Sequence, residues 1–132
     1  MMKDDILNKQ QEDKTGEKVK IQRLVETSCS WDKVKLPDYP VTAPKITAIR
    51  YTIPPHTKLG RHSHPTINFG IMLSGQLTVV KDNGESKTFH EGDVIVETVN
   101  NIHYGENRGD IPAELIMFYA GTEGLPLKEE AF

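Results

Sequence analysis

The sequence is poor in cysteine and in long apolar runs, and both shortages restrict what the chain can be. Only one of its 132 residues is a cysteine, Cys29, so neither an internal disulfide nor a multi-cysteine zinc site can form. The longest unbroken apolar run is the six residues from Leu115 to Ala120, whereas a helix needs roughly 18 to cross a bilayer. We therefore expect one domain with no membrane span, whose metal chemistry, if any, depends on histidine and oxygen ligands.

The sequence also lacks blocks of one charge. Sixteen Lys and Arg residues stand against nineteen Asp and Glu, a net charge of -3, and no basic stripe of the kind that binds nucleic acid is present. Residues 1–17 mix both charges with few apolar side chains, which predicts a flexible charged leader before a domain over residues 18–132. A short helix from Asp5 to Gln11 is the alternative. Because no apolar stretch near the start resembles a secretory signal, we expect a cytoplasmic protein.

What the chain does contain is a series of short segments separated by turn residues. No helical period of 3.6 residues stands out between residues 45 and 121, so these segments predict strands. The predicted strands cover residues 45–53, 68–74, 76–81, 86–90, 94–97 and 113–120, with an earlier one starting at Lys18. At least six short strands without intervening helices indicate an all-β sandwich or small barrel.

Two connecting segments have their own signals. Asp82, Asn83 and Gly84 predict a tight two-residue hairpin turn, because Asn-Gly tolerates positive φ angles. The stretch from Ser28 to Pro44 is rich in Ser, Pro and Asp and contains the single tryptophan, Trp31. We expect it to wrap around the body as a loop.

Histidines supply the candidate chemistry. His62 and His64 are two residues apart, which in a strand places both side chains on one face with Cα atoms about 6.5 to 7 Å apart. Two imidazoles at that spacing can reach one ion at roughly 2.1 Å. Asn68 lies an even number of residues further along and would face the same side of the strand, unless Pro65 introduces a bulge. An antiparallel meander would bring His103 next to His64. Each histidine taken alone is more often a loop, surface or core residue than a ligand.

Taken together, these residues resemble the two sequence motifs of the cupin superfamily. The first motif is His-x-His, three or four residues, Glu, six residues, Gly, and its positions are occupied by His62, His64, Asn68 and Gly75. The second is Gly, five residues, Pro, one residue, Gly, two residues, His, three residues, Asn, and its positions are occupied by Gly92, Thr98, Asn100, His103 and Asn107.

The chain departs from the motifs at four positions. The glycine that usually opens the first motif is His56, and the inner glycine of the second is Asn100. Histidine and asparagine both tolerate positive φ better than most residues, so the backbone can keep its course. Thr98 replaces the proline. The replacement of glutamate by Asn68 alters the chemistry, because an amide oxygen is neutral.

The resemblance implies a single-domain cupin-type β-barrel, that is, a double-stranded β-helix or jelly roll, with one divalent ion in its mouth. Carried over by position, the metal residues are His62, His64 and His103, with Asn68 as a weak ligand or as a hydrogen-bond partner of a ligand or water. Iron is the first choice of metal, and zinc, nickel and manganese are alternatives. The resemblance also implies a homodimer, for which the segment from Val19 to Leu24 is the candidate contact strand.

The resulting functional hypothesis is a metal-dependent, dioxygenase-like enzyme acting on a small chelating substrate. The alternatives are a module that binds a small ligand or a metal without chemistry, and a metal-free barrel. The binding module is favoured by the lack of an identified general acid or base. The metal-free barrel is favoured by the replacement of the motif glutamate by asparagine.

Other polar and aromatic residues near the motifs receive structural roles. Glu97 and Glu106 flank His103, and either could replace the missing carboxylate, Glu97 from the strand that leads to His103. We nevertheless expect both to be exposed or hairpin-facing acids. His90 ends a predicted strand and is expected at the surface. Four further residues on strands are expected in the core or the barrel lining, namely Tyr51, Met72, Met117 and Tyr119.

Overall fold

The computed structural model describes residues 11–12 and 18–132, and in these residues it contains strands and loops but no α-helix. The strands are β1 (Gln11–Glu12), β2 (Lys18–Val19), β3 (Pro44–Ile53), β4 (Thr57–Lys58), β5 (His62–Ser63), β6 (Ile67–Ser74), β7 (Gln76–Lys81), β8 (Ser86–His90), β9 (Val94–Val96), β10 (His103–Asn107), β11 (Ala113–Thr122) and β12 (Glu129–Glu130). The prediction of an all-β chain is confirmed.

Two antiparallel sheets form the body. One runs β12-β5-β10-β7-β8, with β4 also paired to β10, and the other runs β3-β11-β6-β9. Strand β11 lies in the middle of the second sheet. It pairs with β3 over ten residues and with β6 on its other side. Each sheet turns one face inward, and the two faces enclose a common interior.

Apolar side chains from both sheets fill that interior. The buried cluster comprises Ile53, Met72, Leu77, Val79, Phe89, Ile95, Ala113, Leu115, Met117 and Tyr119. Within β7 and β11 the inward residues are two apart, as the strand period requires. Burial of this cluster is the main favourable contribution to the fold.

The hairpin between β7 and β8 differs from the expected two-residue turn. Lys81 N–H donates to Glu85 O over 2.8 Å, so three residues, 82–84, form the loop. Only Gly84 among them has a positive φ, 89°. A three-residue loop of this kind places one residue, usually glycine, in the left-handed region. The strand bounds on both sides are as predicted, and the loop length was wrong.

The two motif positions where glycine is replaced keep the expected backbone. His56 has a φ of 54° and Asn100 a φ of 60°. The interpretation that both residues substitute for glycine in the left-handed region is therefore confirmed.

The segment between residues 28 and 43 contains no extended strand. Trp31 N–H donates to Val96 O over 2.9 Å, and the Trp31 ring packs edge-on against Phe89 with centroids 6.3 Å apart. Next to it, Lys81 Nζ lies 2.9 Å from the buried carboxylate of Asp32. The segment is thus fastened to both sheets.

The N-terminal predictions fall mostly on residues outside those described. The leader 1–17 and the alternative helix from Asp5 to Gln11 can be compared with the structure only at residues 11–12, which pair with Lys18–Val19. The strand expected from Lys18 onward ends at Val19. Among the described residues, no helix has the length and apolarity to cross a membrane.

Candidate metal centre

Three imidazoles meet inside the barrel near one opening. His62 on β5 and His103 on β10 are direct cross-strand partners, and His64 follows β5 by one residue. The ring centroids are 4.6 to 5.1 Å apart. One ligand nitrogen of each ring lies within 4.8 Å of the corresponding nitrogens of the other two. The predicted convergence of the three histidines is therefore what the structure has.

Backbone carbonyl groups fix the tautomer of every ring. The Nδ1 atoms of His62, His64 and His103 each lie 2.8 Å from a backbone oxygen, those of Gly60, Leu127 and Asn101 respectively. A carbonyl oxygen can only accept, so each Nδ1 carries the hydrogen and each Nε2 keeps its lone pair. Metal-binding histidines usually donate the N–H of the non-ligating nitrogen in this way, which leaves the other nitrogen free for the ion.

Burial keeps the three rings neutral. His64 and His103 are almost inaccessible, and His62 is half-buried. Burial lowers the pKa of all three imidazoles, that of His64 from 6.5 to about 4, although the bonds to the backbone oxygens act in the opposite direction. Neutral imidazole is the form that binds metal.

The donor set fits a divalent ion of the imidazole-binding type. Two ligand atoms of one ion, at bonds of about 2.1 Å, are at most about 4.2 Å apart. The three nitrogens lie within 4.8 Å of one another, so small side-chain movements would bring them to a common ion. Two buried atoms at the site, His103 Nε2 and Asn68 Oδ1, have no hydrogen-bond partner among the described residues. A bound ion or its water would satisfy both. Whether a metal binds stays a prediction.

Asn68 belongs to the same cavity, but on the opposite sheet. It lies on β6 opposite Tyr119 of β11 and is fully buried. Its Nδ2 donates weakly to Thr66 O over 3.3 Å, and its Oδ1 has no hydrogen-bond partner among the described residues. Residues 64–66 interrupt the strand, as the proline suggested, yet Asn68 still faces the histidines' cavity.

Glu97 is a cavity residue that the sequence interpretation placed wrongly. It is 8% exposed rather than at the surface, and its Oε2 lies 3.5 Å from His103 Nε2. Burial raises the pKa of its carboxyl group, and the electrostatic interaction with His64 is the largest effect in the opposite direction. A signal was available, because Ile95 two residues earlier faces the cavity and strand parity carries Glu97 to the same side.

The remaining predicted residues occupy the expected places. Tyr51, Met117 and Tyr119 line the cavity, and Met72 is buried in the core. Their side chains thus shape the space next to the histidines.

Polar residues outside the cavity also follow the expectations. Glu106 is partly exposed and lies 2.9 Å from Arg108 Nε, and His90 is exposed. Neither residue lines the cavity that contains the histidines.

Comparisons with known proteins agree with this architecture. Similar solved structures include a Cupin 2 conserved barrel domain protein from Salinispora arenicola, with 23% identity over 64% of this chain and 70% of that one and a TM-score of 0.52. An uncharacterized conserved protein with a double-stranded β-helix domain from Klebsiella pneumoniae has 19% identity over 69% and 89%, with a TM-score of 0.55. The salicylate 1,2-dioxygenase of Pseudoaminobacter salicylatoxidans has 21% identity over 57% of this chain but 22% of its own, with a TM-score of 0.52.

At these identities the structures show a shared fold, the double-stranded β-helix. No curated protein sequence is significantly similar to the chain. The family model described as the Cupin domain matches residues 49–119, which is more than half of the chain. The matched segment contains all three histidines, and the chain belongs to the cupin domain family.

Proposed function

We propose that the protein is a metal-dependent enzyme in which His62, His64 and His103 hold one divalent ion, iron first, and which acts on a small chelating substrate in the manner of a dioxygenase. The observation that carries the proposal is the convergence of three Nε2 lone pairs, each ring fixed by a backbone carbonyl, at the wall of the barrel cavity. A divalent ion bound there would supply a Lewis acid and, as iron, a redox centre. Three protein ligands leave coordination positions for a substrate.

The cavity beside the histidines suits a small, mostly apolar molecule. Its volume is about 200 Å³, and its walls include Leu59, Leu77, Ile95, Leu115 and Met117. Such walls exclude water and contact the body of a substrate through dispersion and apolar burial. Specificity then depends on the few polar groups that reach the same space.

A cation at the edge of the cavity favours an anionic substrate. Lys128, just before β12, lines the opening, and its ammonium group lies 3.3 Å from the exposed Glu130 carboxylate. That surface ion pair is weak, so Lys128 can exchange it for a carboxylate or phenolate of the substrate. Together with a dication this would place a negatively charged chelating group between the histidines and the opening.

Two tyrosines provide hydrogen-bonding groups on the opposite wall. Tyr51 and Tyr119 hydroxyls are 2.7 Å apart, and burial together with this bond raises the pKa of Tyr119. Tyr119 therefore stays protonated at neutral pH, and the paired hydroxyl groups offer a donor and an acceptor. We propose that these hydroxyl groups orient a substrate oxygen and do not act as a general base.

The test combines metal analysis with oxygen consumption. Protein prepared without chelator is analysed for metals, then loaded with ferrous iron and supplied with salicylate, β-diketones, catechols and thiols under an oxygen electrode. Salicylate is included because a dioxygenase named for it shares the fold and because its hydroxyl and carboxylate can chelate one ion. We expect oxygen uptake with at least one anionic chelator and loss of uptake in His62→Ala and His103→Ala.

Matched controls make the result specific. The exposed His90 is replaced in His90→Ala, which should keep both metal content and turnover. Absence of turnover with iron, nickel, manganese and zinc across the whole panel would refute the enzyme. Tight retention of a compound without product, detected by mass spectrometry, would instead support a binding module.

A further inference from the structure

Glu97 and His103 present two acceptor atoms to each other in a buried space. Glu97 Oε2 lies 3.5 Å from His103 Nε2, and the histidine is 1% exposed. Because His103 Nδ1 donates its hydrogen to Asn101 O, its Nε2 carries a lone pair. A lone pair and a carboxylate oxygen repel each other unless a cation or a proton lies between them.

The separation of the two atoms, 3.5 Å, is close to that of two neighbouring ligands of one ion. Bonds of about 2.1 Å at angles of 90 to 109° place neighbouring ligand atoms about 3.0 to 3.4 Å apart. A proton shared between the same two atoms would bring them to about 2.7 to 2.9 Å, which is closer than the observed 3.5 Å. The distance therefore favours a metal ion.

The Glu97 carboxylate is oriented by groups that leave Oε2 available. Its Oε1 accepts the indole N–H of Trp31 and the backbone N–H of Thr98, both over 3.2 Å. Trp31 is in turn fixed by its own backbone bond to Val96 O. The carboxylate is thus held in place by a segment that lies more than 60 residues earlier in the chain.

Glu97 is also the immediate neighbour of the position where the cupin motif has its glutamate. Glu97 N–H donates to Asn68 O over 3.0 Å across the β6–β9 pair, so the two side chains leave adjacent strands. The negative charge of Glu97 raises the pKa values of His62 and His64 as well, against the effect of burial. The carboxylate therefore acts electrostatically on His62 and His64, and it lies next to His103 Nε2.

We propose that Glu97 supplies the carboxylate ligand of the metal centre, one strand away from the motif position that Asn68 occupies. This rests on the metal site of the proposed function, and it gives that site three imidazoles and one carboxylate. The net charge of a dication site falls from +2 to +1, and an oxygen ligand suits iron and manganese. Asn68 then remains a neutral group beside the ion.

The experiment measures cobalt binding, independently of any activity. Co²⁺ affinity is determined at pH 7.5 by competition with a chromogenic chelator, and the visible d–d spectrum is recorded for the wild type, Glu97→Gln and Glu106→Gln. Glu106→Gln is the matched control, an acid near His103 but outside the cavity. We expect Glu97→Gln to weaken cobalt binding by more than the roughly 10- to 100-fold typical of residues that only hydrogen-bond to a ligand, and to change the spectrum. Glu106→Gln should stay within about twofold of the wild type.

Two further variants separate ligation from positioning and from loss of fold. Glu97→Gln with Asn68→Glu returns a carboxylate on the neighbouring strand and should restore affinity, whereas Trp31→Phe removes one bond to Glu97 and should keep the wild-type spectrum. Melting curves of the metal-free proteins confirm folding, and Glu97→Asp serves if the amide variant is unstable. Wild-type affinity and spectrum in Glu97→Gln would overturn the inference. If His62→Ala also binds cobalt like the wild type, the metal site itself fails, which distinguishes the two outcomes.

Discussion

His64 makes the stability of the metal-free protein sensitive to acid. Its ring is 5% exposed, and burial, opposed by the bond to Leu127 O, lowers its pKa from 6.5 to about 4. Between these two values the unfolded chain binds a proton at His64 and the folded chain does not. Stability rises with pH wherever the unfolded state holds more protons, so the contribution of His64 is present above pH 6.5 and is lost as pH falls toward 4.

The size of the effect follows from the difference between the two pKa values. Each pKa unit corresponds to 1.36 kcal/mol, so His64 alone should remove about 2.5 kcal/mol between pH 7.5 and 4.5. Burial lowers the pKa values of His62 and His103 too, and these act in the same direction. Glu97 acts in the opposite direction, because burial raises the pKa of its carboxyl group. A comparison of variants is therefore needed to isolate His64.

Urea unfolding in the presence of chelator at pH 7.5, 6.5, 5.5 and 4.5 provides the measurement. His64→Gln keeps a side-chain N–H for Leu127 O and removes the titrating ring, and the exposed His90 is replaced in His90→Gln as the control. We expect the difference in free energy of unfolding between wild type and His64→Gln to change by about 2.5 kcal/mol over this range, in the sense that the wild type loses more. His90→Gln should parallel the wild type. Parallel pH curves for the wild type and His64→Gln would refute the reasoning.

Three substitutions away from the histidines test the frame that holds them. Lys81→Met removes the cation whose ammonium nitrogen lies 2.9 Å from the buried Asp32 carboxylate. The free energy of unfolding should fall by about 3 kcal/mol and should recover in part when Asp32→Asn is added. Urea unfolding measures both changes. Gly84→Ala places a side chain at a φ of 89°, and a loss of about 1 kcal/mol is expected; an unchanged melting temperature would contradict it. Phe89→Ala opens a cavity at a side chain that is 1% exposed and should lose about 3 to 5 kcal/mol, measured by chemical denaturation.

The strands were predictable because their signals are local. Alternating side chains and turn residues define Gln76–Lys81 and Ser86–His90 as the structure has them. The loop between them was misjudged, because its length depends on which residues pair, Lys81 with Glu85, and not on the Asn-Gly pair alone. The homodimer, the leader and the cytoplasmic location stay predictions, and light scattering on the full chain tests the first.

The candidate site was predictable only in part, because several groups that hold it in place are backbone carbonyls or lie far from the histidines in the sequence. The short spacing of His62 and His64 and the position of His103 indicated a common centre. The carbonyl of Leu127, which fixes the tautomer of His64 from 63 residues away, has no side-chain signature. Trp31 likewise reaches Glu97 across 66 residues. The position of Glu97 could be found from the parity of its strand, although acidic residues are seldom buried.

Asn68 and Glu97 are neighbours on adjacent strands, and the charge of one restricts the residue type at the other. Their backbones are hydrogen-bonded across β6 and β9, and both side chains face the same cavity. A glutamate at both positions would place two buried carboxylates side by side, and the second could ionise only at a large free-energy cost. With Glu97 present, a neutral residue at position 68 is therefore the compatible choice. If Glu97 is the ligand proposed above, the asparagine at position 68 is compatible with a metal centre that keeps one carboxylate.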